Sequence, residues 1–104
     1  MYRVTYTRKR TDNQPIYDQL PESRLYGAVL HRFRSNQPGF ITFVHTVTDD
    51  QLTLLGIADW ENKEAYDACE AAILLDTETL EARRLFQEFC QATGVELAVS
   101  YETI

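Results

Sequence analysis

Residues 38–69 read PGFITFVHTVTDDQLTLLGIADWENKEAYDAC, and this stretch decides the fold. Two runs, residues 40–47 and 52–60, are rich in β-branched, aromatic and leucine side chains, which predicts two strands. The polar residues 49–51 between them predict a turn, so the two strands should form a tight antiparallel hairpin. Both strands are apolar on both faces, whereas a sheet with one face in water alternates more cleanly. We therefore expect both faces of the sheet to be covered.

The residues before the hairpin predict one strand and one helix. Residues 2–7 alternate apolar and polar side chains as a half-buried strand does, and the polar residues 11–15 predict a loop. A helix is predicted to begin at Pro21 and to end at residues 36–39, where Pro and Gly occur together. Its apolar stripe has helical spacing and consists of Leu25, Tyr26, Val29, Leu30 and Phe33.

The residues after the hairpin predict a long helical region and a last strand. Asn62 is the predicted N-cap, residues 76–78 predict a break, and Gly94 is placed where a glycine ends a helix. Residues 95–101 then alternate strictly. The order β-α-β-β-α-β predicts an α+β, ferredoxin-like fold, in which a four-stranded antiparallel sheet carries two helices on one face.

Length and composition restrict the function classes. A chain of 104 residues with 44% hydrophobic and 25% charged residues is predicted to form one globular domain, 1–104. A net charge of −6 argues against binding the phosphate backbone of nucleic acids. No apolar run approaches the roughly 20 residues that span a bilayer, and the N-terminus does not resemble a signal peptide, so we expect no membrane partner and a cytoplasmic location. Cys69 and Cys90 lie in helical patterns and are predicted to be buried free thiols.

The short length of the chain favours pairing with a partner. A chain of this size has a thin core, and the predicted helices cover only one face of the sheet. Nothing else in the predicted element order is available to cover the other apolar face. We therefore expect a homodimer that pairs through the open face of the sheet.

The quoted stretch resembles the antibiotic biosynthesis monooxygenase-like members of the dimeric α+β barrel superfamily. The shared features are a Pro-Gly-aromatic start, a strand, an acidic hairpin turn, a strand that ends in Trp60-Glu61, and a helix that begins near Glu64. The resemblance covers about a third of the chain closely and the whole chain by element order. It implies a homodimer in which two sheets face each other and close a barrel.

The same resemblance implies a range of activities. The superfamily includes cofactor-independent monooxygenases of quinol-like aromatics, haem-degrading monooxygenases, lactone isomerases and proteins without an established activity. Trp60 matches a tryptophan that lines the pocket of the haem-degrading members. Those enzymes also use an asparagine on the first strand and a histidine on the second long helix, but here the first strand has no Asn and residues 63–93 have no His. We therefore expect no cofactor.

The third predicted strand leaves room for a ligand beside it. Gly56, Ala58 and Trp60 share one face of this strand, so two small side chains precede a large aromatic one. If that face looks toward the helices, the sequence predicts a pocket for a planar apolar ligand. Alternatively, an aromatic side chain fills the space, and the candidates are Phe33, Phe86 and Phe89. Hydroxyl groups at the edge of the pocket would come from Tyr2, Tyr6, Tyr66 and Tyr101.

Of the two histidines, His45 is the candidate for catalysis. By strand alternation it shares a face with Ile41, Phe43 and Val47. An imidazole at this position can orient or deprotonate a substrate near neutral pH. The alternative is a hydrogen-bonded histidine in the core or at an interface. His31 is predicted to lie at the surface, and no metal site is expected because no Cys or carboxylate cluster has ligand spacing.

These predictions lead to two hypotheses of different classes. In the first, the chain is a dimeric α+β barrel that binds a small aromatic or polyketide-like molecule and oxygenates or isomerises it without a cofactor. In the second, it is a non-catalytic dimeric structural or ligand-sensing module. In the second hypothesis the cavity on the helix side is filled and His45 is structural, so a structure without a cavity beside Gly56 and Ala58 would favour it.

Overall fold

The computed structural model of the protein describes residues 1–11 and 21–104. Residues 12–15 of the loop predicted at 11–15 lie outside the described residues. The elements follow in the order β1 (Tyr2–Arg10), α1 (Pro21–Ser35), β2 (Phe40–Val47), β3 (Thr53–Trp60), α2 (Lys63–Ile73), α3 (Thr77–Ala92) and β4 (Val95–Thr103). No helix of the described part is long and apolar enough to cross a membrane.

The four strands form one antiparallel sheet with the order β2-β3-β1-β4. This order, with helices packed on one face, is the ferredoxin-like arrangement, so the predicted fold class is confirmed. The hairpin of β2 and β3 is confirmed as well. Its turn is fixed by Asp50, whose carboxylate accepts from the Leu52 amide at 3.0 Å, and by Gln51, which has a positive φ of 62°.

Capping residues divide the predicted helical region into two helices. The Asn62 side chain accepts a hydrogen bond from the Ala65 amide at 2.9 Å, which confirms the predicted N-cap of α2. Asp76 caps α3 in the same way, with its carboxylate 3.2 Å from the Thr79 amide, and this cap is the predicted break. Gly94 follows α3 with a φ of 72°, as predicted for the residue that ends it.

The core lies between β1, β3 and α2. Trp60, Val4 and Ile73 are fully inaccessible to solvent, and Ala58 lies among them. Cys69 and Cys90 are buried and free, as predicted. Desolvation raises the pKa of the Cys69 thiol to about 11, so this thiol stays protonated at neutral pH.

Helix α1 buries the stripe that its sequence predicts only in part. Leu30 is buried, but Leu25 is 61% exposed. Helix α1 packs mainly against α3 and meets the sheet mainly at β2. A space remains between α1 and the rest of the helix-facing surface of the sheet.

An irregularity at the start of β2 changes which side chains face the helices. The register shifts between Phe40 and Thr42, so that Phe40, rather than Ile41, lies opposite Trp60. The Phe40 and Trp60 rings pack edge to face with their centroids 5.5 Å apart. Ile41 is 48% exposed, and the alternation that grouped it with His45 is broken by this bulge.

The open face of the sheet, which the helices do not cover, carries the Arg3–Asp59 ion pair and an apolar patch. Asp59 accepts two hydrogen bonds from the Arg3 guanidinium, at 2.8 and 3.1 Å, and these hold the pKa of Asp59 below its usual range. Beside this pair, Val44 lies opposite Ile57, and Leu55 is the next residue of β3 on the same face. Val44 is 49% exposed, so the patch formed by Val44, Leu55 and Ile57 is accessible.

Candidate functional site

A cavity of about 470 Å³ separates α1 from the helix-facing side of the sheet. Helix α1 contributes one wall, with Gly27, Leu30 and Arg34 among its residues, and β2 contributes Phe43 and His45. The volume falls in the range of about 300–1,000 Å³ that small-molecule sites occupy. We call this space the α1 cavity.

A second cavity of about 380 Å³ adjoins the first on the side of β1 and β4. The two cavities share four lining residues: Arg8, Leu30, Arg34 and Phe43. Its polar lining includes Tyr6, Tyr66, Glu70, Arg83 and Tyr101, and Phe86 adds an apolar surface. We call this space the β4 cavity.

Three residues of neighbouring strands form a row at the junction of the cavities. Tyr6 of β1 lies opposite Gly56 of β3, and Gly56 lies opposite His45 of β2. Neighbouring strands are about 4.8 Å apart, so the backbones of Tyr6 and His45 are separated by roughly 10 Å. Because Gly56 has no side chain, the surface between Tyr6 and His45 is low.

The Phe43 ring occupies part of that low surface. A Cβ atom added at Gly56 would lie 2.8 Å from Cζ of Phe43, closer than real Cβ contacts come. The Phe43 ring also packs edge to face with His45, at a centroid distance of 4.7 Å, and tilted against Tyr6 at 6.5 Å. The aromatic side chain that fills the space over Gly56 is therefore Phe43, and not one of the three phenylalanines that the sequence offered.

The Tyr6 hydroxyl is buried and lacks a hydrogen-bond partner among the described residues. Desolvation raises the pKa of Tyr6 to about 12, so the phenol is neutral at physiological pH and its proton can be donated. The guanidinium carbon of Arg34 lies 4.8 Å from the centre of the Tyr6 ring, which places a cation over its face. An unsatisfied buried hydroxyl is costly, and a ligand that accepts its hydrogen bond would remove that cost.

The far end of the β4 cavity holds a paired set of polar groups. The hydroxyls of Tyr66 and Tyr101 are 3.4 Å apart, and burial raises the pKa of Tyr66. The Arg83 guanidinium donates to the Glu70 carboxylate at 3.0 Å. The charge of Glu70 is therefore balanced within the cavity wall.

The residues predicted to form the site have different positions in the structure. His45 lines the α1 cavity, and Tyr6 and Phe86 line the β4 cavity. Ala58 and Trp60 belong to the buried core behind the cavities, where Trp60 packs against Phe40 and Tyr66, and its indole N–H has no partner among the described residues.

Phe33 and Gly56 take other positions. Phe33 packs against the same core and borders a separate shallow groove between α1 and the start of α3. Gly56 shapes the floor beneath Phe43 without lining either cavity.

The polar face of α1 was not predicted from the sequence. The residues of α1 that line the α1 cavity are Arg24, Gly27, Ala28, Leu30, His31 and Arg34. All of them except Leu30 recur at intervals of three or four residues, beginning at Arg24, so they share one helix face. This face of small and cationic residues has the same periodicity as an apolar stripe. It could have been found by searching for periodicity in charge and size rather than in hydrophobicity.

No group of three or more His, Cys, Asp or Glu side chains within residues 1–11 and 21–104 is arranged to hold a metal ion. A sequence scan against protein-family models finds no match, and a search of curated proteins finds none either. Solved structures, in contrast, match over nearly the whole chain.

SnoaB from Streptomyces nogalater, described as a cofactor-independent oxygenase, is 16% identical with a TM-score of 0.66, over 99% of this chain and 92% of SnoaB. The ActVA-Orf6 monooxygenase of Streptomyces coelicolor, solved with nanaomycin D, is 19% identical with a TM-score of 0.64, over 98% and 86% of the two chains. The chain shares the fold of these two oxygenases. A conserved protein of Methanosarcina mazei shares it with a TM-score of 0.67 at 12% identity, over 97% and 90% of the two chains.

The shared fold confirms the predicted resemblance at the level of architecture. Sequence identities of 12–19% leave the activity to be argued from the site, because one fold carries many functions.

Filling the α1 cavity from its own wall tests whether it binds ligands. A Cβ added at Gly27 meets no atom within 4 Å, so Gly27→Leu should place its side chain in the cavity. Leucine is about 1 kcal/mol more favourable than glycine in a helix interior, so the melting temperature should stay or rise. Binding of 2-naphthol, followed by its fluorescence, should weaken at least tenfold, and Gly27→Ala should have a smaller effect. Unchanged binding, or no binding to the parent protein, would contradict this assignment of the cavity.

Proposed function

We propose that the protein binds a small planar aromatic molecule between α1 and the sheet and oxygenates it without a bound cofactor. The observation that carries this proposal is the row of Tyr6, Gly56 and His45. It places an imidazole on one side of a low aromatic surface and, on the other, a neutral phenol that has no hydrogen-bond partner among the described residues. A ring lying against Phe43 would have a proton acceptor on one side and a hydrogen-bond donor on the other. The fold that the chain shares with a cofactor-independent oxygenase supports this proposal by analogy.

The chemistry needs only groups of this kind. Removing a proton from an electron-rich phenol or anthrone gives a carbanion or phenolate that can itself reduce O₂. One oxygen atom then enters the ring carbon, and the other leaves as water with two hydrogens from the substrate. The substrate thus supplies all the electrons, and the protein has to accept one proton and stabilise one developing negative charge.

The two side chains have separate roles in this proposal. His45 borders the α1 cavity and is solvent-accessible, so its imidazole can exchange the abstracted proton with water. Tyr6 remains protonated because its pKa is raised to about 12, so it donates to the substrate oxygen on which negative charge develops. Phe43 and Leu30 supply the apolar surface that excludes water from the ring.

Oxygen consumption with an anthrone substrate tests these roles. We expect His45→Gln to lower kcat by about a hundredfold, because general base catalysis contributes at least that much. Tyr6→Phe should also lower kcat, by about a hundredfold, since it removes one donor to the developing oxyanion. Tyr26→Phe, which removes a hydroxyl from α1 outside both cavities, is the matched control and should leave kcat unchanged.

Two outcomes of this experiment would contradict catalysis. If the parent protein binds the substrate but consumes no oxygen and forms no isomer, the protein is a ligand-sensing module. If the protein turns the substrate over and His45→Gln and Tyr6→Phe both leave kcat unchanged, the reaction occurs but does not use the row.

We also propose that two copies pair through the open face of the sheet. The support is the accessible patch of Val44, Leu55 and Ile57 beside the Arg3–Asp59 ion pair, together with the thin core of a chain of this length. Facing sheets in two copies would bury this patch and complete the barrel. The dimer also covers the face that the helices leave open.

Sedimentation velocity tests the pairing at micromolar concentration. The parent protein should sediment at twice the single-chain mass of 12.1 kDa. Ile57→Asp and Val44→Lys should both sediment as single chains, because each buries a charge in the proposed interface. Leu75→Asp, on a side chain that is 88% exposed, is the matched control and should stay paired. A parent protein that sediments as one chain would overturn the proposal.

A further inference from the structure

The basic residues of this acidic protein are distributed unevenly. Of its ten Lys and Arg residues, five form ion pairs with carboxylates in the described part of the chain. These five are Arg3, Arg32, Lys63, Arg83 and Arg84. Two of the other basic residues, Arg24 and Arg34, line the α1 cavity. The cavity also contains both histidines of the sequence.

The carboxylates of the described residues lie outside the α1 cavity. Among the described residues that line the α1 cavity there is no Asp or Glu. The neighbouring β4 cavity has one carboxylate, Glu70, and its charge is matched by Arg83 at 3.0 Å. The net charge of −6 repels anions at long range, but this effect is screened beyond about 10 Å at 0.1 M salt. The described wall of the α1 cavity therefore carries cationic side chains and no carboxylate.

Arg34 is placed where it can anchor an acidic group of a ligand. It lines both cavities, and no ion pair joins it to a carboxylate of the described residues. Its guanidinium lies over the Tyr6 ring, 4.8 Å from the ring centre. Stacking on a ring occupies the flat face of a guanidinium and leaves its edge, with the N–H donors, directed to the side. A guanidinium edge matches a carboxylate with two parallel hydrogen bonds.

The rest of the wall suits a flat ring. His31 packs against Phe43 with ring centroids 5.5 Å apart and edge-on against Phe40 at 6.2 Å. These aromatic faces lie in the same cavity as the Arg24 and Arg34 side chains. A cavity with aromatic walls and cationic side chains selects for a molecule that is both planar and negatively charged.

We propose that the ligand of this cavity is an aromatic carboxylate, whose acid group pairs with the Arg34 guanidinium one helical turn from His31 while its rings lie against Phe43. This inference rests on the proposed function, because it assumes that the α1 cavity takes an aromatic molecule. It adds the charge of the substrate and the residue that recognises it. Arg34 then sets the orientation of the ring over the row of Tyr6, Gly56 and His45.

A matched pair of probes tests the charge directly. 2-Naphthoate and 2-naphthamide have nearly the same shape and differ in charge, and the binding of each is measured by calorimetry in 50 mM KCl. We expect naphthoate to bind the parent protein about tenfold more tightly than the amide. Raising KCl to 500 mM should weaken naphthoate binding several-fold and leave amide binding unchanged.

Substitution of the anchor assigns the preference to one residue. Arg34→Gln should abolish the preference for naphthoate, and Arg34→Lys should retain part of it, because an ammonium keeps the charge without the two parallel hydrogen bonds. Arg84→Gln removes the same charge from α3, where Arg84 pairs with Glu81 and Glu88, and should leave the preference intact. Circular dichroism establishes that each variant is folded before its binding is compared.

The outcomes separate the two proposals. Equal binding of naphthoate and naphthamide to the parent protein would overturn the acid preference and leave the aromatic cavity standing. A preference that survives Arg34→Gln would overturn the assignment of the anchor. Failure of both probes to bind would count against the proposed function itself.

Discussion

The site depends on the contact between Phe43 and Gly56. Only a glycine at position 56 lets the Phe43 ring lie against β3, because a Cβ there would come within 2.8 Å of that ring. In this position Phe43 borders both cavities and packs against Tyr6, His31 and His45. A larger residue at position 56 would move the ring and with it the surface that joins the two cavities.

Much of the fold could be predicted from the sequence because local signals agree with the tertiary structure. The hairpin, the Asn62 cap, the break at Asp76 and the glycine that ends α3 are each determined by residues within a few positions of each other. The predicted site was less complete. The small residues of β3 pointed to available space, but the side chain that occupies it comes from the neighbouring strand, and strand alternation alone does not place it.

The packing of α1 explains the largest difference from the sequence analysis. Its apolar stripe predicted that Leu25 would be buried, but α1 packs mainly on α3, and Leu25 remains exposed. On another face of the helix, Gly27, His31 and Arg34 line the α1 cavity. Helical periodicity predicts which residues share a face, whereas the choice of the face that meets the sheet is made by contacts between helices.

The central claim is that this chain holds an aromatic acid between α1 and the sheet. The most direct measurement is a crystal structure with 6-bromo-2-naphthoate, in which anomalous scattering locates the bromine. The account predicts a naphthalene ring against Phe43, with its carboxylate within about 3 Å of the Arg34 guanidinium. A cavity filled by the protein's own side chains, or a ligand bound only at another surface, would contradict it.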